Sequence, residues 1–175
     1  ELLETAHVFR TVQHAAKFGV NASEPELDWS ITLQRKQGII DQLVGGLASL
    51  LKSKKVTVYD GTGSLGPNRL VTISGADGRQ LTIPGNSVIL ATGSQPRTIP
   101  GFEIDGRLVV TSDEMLSIPD LPASAVVIGG GAIGCEFASM MGDLGVDVTV
   151  LEALPQILTG CDPDATRVVD RSFKK

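Results

Sequence analysis

Apolar side chains recur every three or four positions at the start of the chain, at Leu2, Ala6, Phe9, Val12 and Ala16. That spacing lays a stripe along one face of a helix over residues 1–18, with Gly19 placed to end it. Residues 21–26 are polar, contain a proline and read as a loop. Asp28 or Ser30 then stands where a helix N-cap is wanted. A second stripe follows through Leu33, Ile40, Leu43, Leu47 and Leu50 or Leu51, which predicts a second helix with those residues on its inner face. Gly45 and Gly46 fall inside it. Each costs about 1 kcal/mol relative to Ala in a helix, so close packing or a kink is expected there.

At Val56 the period changes. Residues 56–59, 69–73 and 80–83 are short runs rich in Val, Ile, Leu and Thr, and predict strands. The Gly-containing stretches 60–63 and 76–79 predict turns between them, the second a hairpin tip. Residues 87–91 are almost wholly apolar, as in a strand buried on both faces, and run into Thr92, Gly93 and Ser94. A connector with Pro96 and Pro100 follows. Ser112 opens a brief helical turn, and 119–122 reads as a linker. A domain boundary is placed near Thr111, dividing the chain into 1–111 and 112–175. Beyond it lies a βαβ unit: a strand over 125–128, a helix over 132–144 and a strand over 147–151. The class is α/β, with no internal repeat and no low-complexity tract.

Composition adds exclusions. Hydrophobic residues make up 42% of the 175 and aromatic ones only 4%, which fits an aliphatic α/β interior. A net charge of -5 argues against a nucleic-acid partner. No run approaches the roughly 18–20 apolar residues of a membrane span. Cys135 and Cys161 lie far apart, which suits a reducing compartment and gives no disulfide framework. Cys135 is expected to be a small core residue and Cys161 a loop thiol. His7 and His14 are not at the i, i+4 spacing of helical metal ligands, so they are expected at the surface or an interface, and no metal site is expected. Residues 1–6 and 171–175 both read as helix, as if the chain were cut at each end.

The glycines carry the chemistry. Gly129, Gly131 and Gly134 follow a buried strand, open an amphipathic helix and precede a second strand that ends at Glu152. That context makes a weak pattern specific for a dinucleotide. Gly129 permits a tight turn, Gly131 admits a pyrophosphate close to the backbone, and Gly134 lets helix and strand approach. The helix N-terminus offers free N–H donors and positive potential, so Gly129, Gly130, Gly131, Ala132, Ile133 and Gly134 are expected to hold the pyrophosphate. Glu152 is placed to accept hydrogen bonds from both hydroxyls of an adenosine ribose and to repel a 2′-phosphate, favouring NAD over NADP. The plainer alternative is a Gly-rich turn that binds nothing. Glu136 reads equally as a carboxylate favoured by the helix dipole or as a charge held at a ligand cleft. On their own, Gly63 and Thr92-Gly93-Ser94 are ordinary turn residues.

With these residues located, the chain resembles the dihydrolipoamide dehydrogenases of the pyridine nucleotide–disulfide oxidoreductase family along its whole length. Residues 2–7 resemble the helix that follows that family's C-x-x-x-x-C redox motif. Residues 56–63 resemble the strand and turn beside the flavin's adenine end, and 91–94 the A-T-G-S segment that touches FAD. Gly129–Glu136 matches G-x-G-x-x-G-x-E, and 148–152 with Ile157, Leu158 and Asp162 looks like the lipoamide branch. The resemblance implies partial Rossmann-like FAD- and NAD-binding domains, with a three-layer parallel sheet and a small antiparallel meander. It implies FAD on Gly63, Thr92, Gly93 and Ser94, and NAD on Gly129–Gly134 and Glu152. Glu136 would lie near the nicotinamide and flavin and pair with the Lys of the redox motif. Thr159 replaces a usual proline, and Ala132 stands where some relatives carry a tyrosine that gates the nicotinamide pocket, which implies a more open pocket.

By the same resemblance the redox cysteines belong upstream and a dimerisation domain with a His–Glu pair downstream. No catalytic residue then falls in this chain, and the piece alone is expected to be inactive. The implied reaction is FAD-dependent oxidation of dihydrolipoamide, carried on the acyltransferase component of 2-oxo acid dehydrogenase complexes, by a homodimer in the cytoplasm (or the mitochondrial matrix of a eukaryote). A mercuric reductase, transhydrogenase or quinone reductase, or a nucleotide-binding protein without catalysis, stands as the alternative.

Overall fold

The stripe at the start of the chain forms helix α1 (Leu2–Gln13), which buries Leu2 and Ala6. The chain then tightens into a 3-10 turn at Ala15–Phe18 and stops at Gly19, whose left-handed φ of 76° needs no Cβ to be accommodated. Helix α2 (Trp29–Ser53) begins after Asp28, whose Oδ1 accepts the Ser30 hydroxyl at 2.6 Å and the Ile31 N–H at 3.1 Å. The structure is a computed structural model that describes residues 1–174. By packing, the described residues divide into two compact units, one made of Glu1–Ile39 with residue 98 onward, the other of Ile40–Arg97.

The first unit holds the βαβ element. Strand β4 (Ser124–Ile128) pairs in parallel with β5 (Asp147–Leu151), from Ser124 opposite Asp147 to Ile128 opposite Leu151. Helix α4 (Ala132–Asp143) makes the crossover. Leu2 and Ala6 of α1 and Trp29 of α2 pack with Met140, Met141 and Val146 in one apolar cluster. The Trp29 indole N–H donates to the Ile118 carbonyl at 2.9 Å, so the ring is buried with its polar edge satisfied. Arg10 closes the edge of this packing on Asp143 at 3.0 Å.

Two capped helices complete the unit. In α3 (Ser112–Met115), Glu114 reaches back to accept the Thr111 N–H at 2.6 Å while Thr111 Oγ1 accepts the Asp113 N–H. In α5 (Pro163–Phe173), Asp162 accepts the N–H groups of Asp164 and Ala165, with Pro163 at the first helical position. The expected helical tail runs to Phe173 with Lys174 as its cap, and Lys175 lies outside the described residues.

The second unit is an antiparallel meander of β1 (Thr62–Leu65), β2 (Leu70–Ser74) and β3 (Gln80–Pro84). The hairpin tip falls where it is expected, with the Gly75 N–H on the Arg79 carbonyl at 2.9 Å and Gly78 at φ 78°.

Several expectations are corrected here. Residues 56–59 form no strand, and the segment expected as a turn instead opens β1, where Gly63 pairs with Ile73. Residues 87–91 also form no strand, and Ile89 and Leu90 are 90% and 68% exposed. A strand buried on both faces needs paired neighbours and cover on each side, and no described residue pairs with this run. The stripe of α2 is not an inner face beyond its first turns: Trp29 and Thr32 are buried, whereas Ile40, Leu43, Leu47 and Leu50 are exposed. Gly45 and Gly46 neither break α2 nor meet a neighbour, since a Cβ at either would stand in open space. The division by packing places α1 with α4, against which it buries its apolar residues, and is separate from the cofactor-domain boundary expected near Thr111.

Met140 is 2% exposed at the centre of the cluster. In the protein carrying this chain, Met140→Ala is expected to lower unfolding free energy by about 2–5 kcal/mol in a denaturant titration. A loss below about 1 kcal/mol would show that the first unit does not depend on this core.

Candidate functional site

At the end of β4 the backbone turns through Gly129, whose φ of 108° is closed to most side chains. The Gly129 N–H continues the ladder onto the Leu151 carbonyl at 2.8 Å. Gly131 then caps α4 with no side-chain bond to the helix, and a Cβ there would meet nothing within 4 Å. The first turn of α4 therefore presents unoccupied space beside uncapped N–H groups, the arrangement that receives a phosphate. Gly134 is glycine for the opposite reason. A Cβ there would stand 2.0 Å from the Gly129 carbonyl oxygen and 3.2 Å from Val127 Cγ1.

Glu152, just past β5, crosses to the same turn. Its Oε2 accepts the Gly130 N–H at 2.7 Å and its Oε1 the Leu154 N–H at 2.8 Å. These two backbone donors, Leu154 first and Gly130 second, hold its carboxyl below the usual glutamate range. Each carboxylate oxygen accepts more than one bond, so capacity remains on both for a vicinal diol. Cys135, one turn into α4, is buried and donates its thiol to the Gly130 carbonyl at 3.4 Å. Burial, and then the charge of Glu152, push that thiol up, so it stays neutral and keeps its donor.

The first unit thus brings together Gly129, Gly130, Gly131, Ala132, Ile133, Gly134 and Glu152. The Gly130 N–H is committed to Glu152. Glu136 is exposed on the first turns of α4. Gly63, Thr92, Gly93 and Ser94 belong to the second unit, where all four are exposed. Cys161 is exposed, as are His7 and His14. Among the described residues no group of three or more His, Cys, Asp or Glu is placed to hold a metal, and no helix is long and apolar enough to cross a membrane.

Two residues assigned no role by motif reasoning also reach the site. Ile157 packs against Gly130, and the Leu158 N–H donates to the Gly130 carbonyl at 2.7 Å. Pro155 before them and the Thr159-Gly160 pair after them are the local signs of a turn at this point.

The two glycines should separate in their effects. Gly134→Ala drives a methyl into a backbone oxygen and is expected to cost about 1–3 kcal/mol or more in unfolding free energy. Gly131→Ala meets nothing and should cost under about 1 kcal/mol, while weakening dinucleotide binding in a calorimetric titration. Equal effects of both variants on stability would contradict this assignment. The depressed Glu152 carboxyl gives a pH expectation. Its contribution to the turn is complete above the ordinary glutamate value of about 4.3 and is lost only as pH falls through the lower, folded value. Binding should therefore be level from about pH 7 to 5, and an acid limb within that range would oppose the role given to Glu152.

Comparison with known proteins agrees with this geometry. Residues 2–175 match the family model described as pyridine nucleotide-disulphide oxidoreductase. A dihydrolipoyl dehydrogenase of Bacillus subtilis (strain 168) is 40% identical over 183 residues, covering 99% of this chain and 38% of that relative. A dihydrolipoyl dehydrogenase of Chlamydia pneumoniae is 38% identical over 174 residues, covering 99% of this chain and 37% of that relative. The crystal structure of LpdA from Mycobacterium tuberculosis shares the fold with a TM-score of 0.86 at 24% identity, over 99% of this chain and 38% of that one. The chain thus spans about 38% of the length of the first of these relatives. With the match running from residue 2 to residue 175 over a βαβ turn built for a dinucleotide, this chain belongs to the pyridine nucleotide-disulphide oxidoreductase family.

Proposed function

We propose that this chain is the cofactor-positioning section of a dihydrolipoyl dehydrogenase, an FAD-containing enzyme that oxidises dihydrolipoamide with NAD as acceptor. Glu152 carries the reading: a carboxylate ionised below the usual range, fixed by two backbone N–H groups, and lying at the end of β5 beside an uncapped helix N-terminus. A vicinal diol and a pyrophosphate are the two groups this pair of features complements, and NAD has both. A 2′-phosphate would meet the carboxylate's charge, which disfavours NADP. The names of the relatives from Bacillus subtilis and Chlamydia pneumoniae support the same activity.

On this reading residues 1–111 are the later part of an FAD domain and 112–175 the first βαβ of an NAD domain. Gly131 to Gly134, with Ala132 and Ile133 between them, hold the pyrophosphate by backbone N–H groups. Glu152 holds the adenosine ribose, and Glu136 is the charge nearest the nicotinamide. Gly63 and Thr92-Gly93-Ser94 lie along FAD, and they fit that role: they are small and exposed, and Gly93, at φ 79°, has open space where a Cβ would stand. FAD and NAD, when bound, supply the electron and hydride chemistry. The residues of this chain bind, orient and discriminate, and none is assigned a catalytic role.

The dithiol is the lipoyl group of the acyltransferase component of a 2-oxo acid dehydrogenase complex. The full-length enzyme works as a homodimer in the cytoplasm, or in the mitochondrial matrix of a eukaryote.

The full-length protein is expected to oxidise dihydrolipoamide with NAD⁺ and to discriminate against NADP⁺. No turnover with this dithiol would overturn the activity. Glu152→Arg is expected to shift the ratio of kcat/KM for NAD⁺ over NADP⁺ toward NADP⁺ by roughly tenfold or more, about 1.4 kcal/mol. An unchanged ratio would refute the role of Glu152.

A further inference from the structure

Past Glu152 the chain returns to the glycine turn instead of leaving it. Ile157 and Leu158 are both partly buried, though residues 153–156 before them and 159–162 after them are exposed. Leu158 donates its N–H to the Gly130 carbonyl at 2.7 Å from a left-handed conformation, φ 52°, that a leucine adopts only at a cost. The turn closes on itself to hold it there. The Cys161 N–H donates to the Leu158 carbonyl at 3.0 Å, the Thr159 hydroxyl to the Gln156 carbonyl at 3.2 Å, and Gly160 follows at φ 96°.

Gly130 is consequently held on every side. Glu152 accepts its N–H, and Leu158 and Cys135 donate to its carbonyl. A Cβ on Gly130 would stand 2.6 Å from Ile157 Cγ2, 3.1 Å from Ile157 Cβ and 3.3 Å from Glu152 Oε2. The Ile157 methyl thus occupies the volume that any larger residue at 130 would need. That methyl sits on a β-branched carbon with a stiff first torsion, so it does not swing aside as the end of a long side chain would.

We propose that Ile157 is a specificity-positioning residue: its Cγ2 methyl holds the Gly130 peptide onto the Glu152 carboxylate and so fixes that carboxylate for the adenosine 2′-hydroxyl of the bound dinucleotide. The inference rests on the reading of Gly129 to Glu152 as an NAD site. It differs from ordinary packing in what it controls. A packing residue changes stability; a residue that aims Glu152 changes how strongly one hydroxyl is recognised.

The test uses the full-length protein and the unreactive ligand ADP-ribose, set against ADP-ribose lacking the adenosine 2′-hydroxyl, with both Kd values measured by calorimetry. The wild type is expected to favour the hydroxylated ligand by about tenfold, the order of one charge-assisted hydrogen bond. Ile157→Ala and Ile157→Leu, which both lack Cγ2, should reduce that preference to about threefold or less. Leucine keeps the volume of isoleucine, so this variant stays informative if the alanine one folds poorly.

Ile157→Val retains Cγ2 and should restore the preference. A preference that survives in both Ile157→Ala and Ile157→Leu, even with a lowered Tm, overturns the proposal and leaves Ile157 as packing alone. If the wild type itself shows no preference and Glu152→Ala alters neither Kd, the NAD reading falls and this inference falls with it.

Discussion

Gly130 is bonded through both of its backbone groups, its N–H donating to the Glu152 carboxylate at 2.7 Å and its carbonyl accepting the Leu158 N–H at 2.7 Å. Three stretches of chain meet at that one residue: the end of β4, the end of β5 and the loop that precedes α5. A hydrogen bond to an ionised carboxylate is stronger than a neutral one, and a buried N–H left without a partner costs about 1–3 kcal/mol. Glu152 therefore belongs to the fold as well as to the proposed ribose site. Its carboxylate is in place before any ribose arrives, and a ligand need not bear the cost of orienting it.

The same residue type answers different constraints within six positions. Gly129 is required by its backbone angle, Gly134 by a carbonyl oxygen 2.0 Å from where a Cβ would be, and Gly130 by the Ile157 side chain. Gly131 alone is unconstrained by the protein around it, with nothing within 4 Å. A position that the fold leaves free is the one at which a ligand's own bulk would impose the constraint. The turn therefore separates residues that shape the backbone from the one that leaves it open.

What could be read from the sequence was what is settled locally. The βαβ unit appears almost residue for residue, because β4 and β5 find each other across a short crossover and the glycines between them are local necessities. The hairpin of β2 and β3 follows equally from its turn. The first strand of the meander was displaced because Gly61 and Gly63 read as a turn, whereas Gly63 is held extended by Ile73, a partner outside its own neighbourhood. Residues 87–91 and the later stripe of α2 carry the apolar pattern of buried elements without the neighbours that would bury them. Ile157 and Leu158 were legible only as resemblance. Their contact with Gly130 is distant in sequence, and the conformation of Leu158 runs against its own residue preference.

Charge orders the site along its length. Glu152 and Cys135 both touch Gly130, and their surroundings push the two groups in opposite directions. Backbone donors favour the ionised carboxylate, while burial and that same carboxylate keep the thiol neutral. A thiolate at Cys135 would lose its bond to Gly130 and would also place negative charge one turn inside the helix end proposed to receive a phosphate. A neutral Cys135 adds no negative charge beside the α4 N-terminus to those of Glu152 and Glu136. The turn then has a donor end suited to a pyrophosphate and an acceptor end suited to a ribose diol.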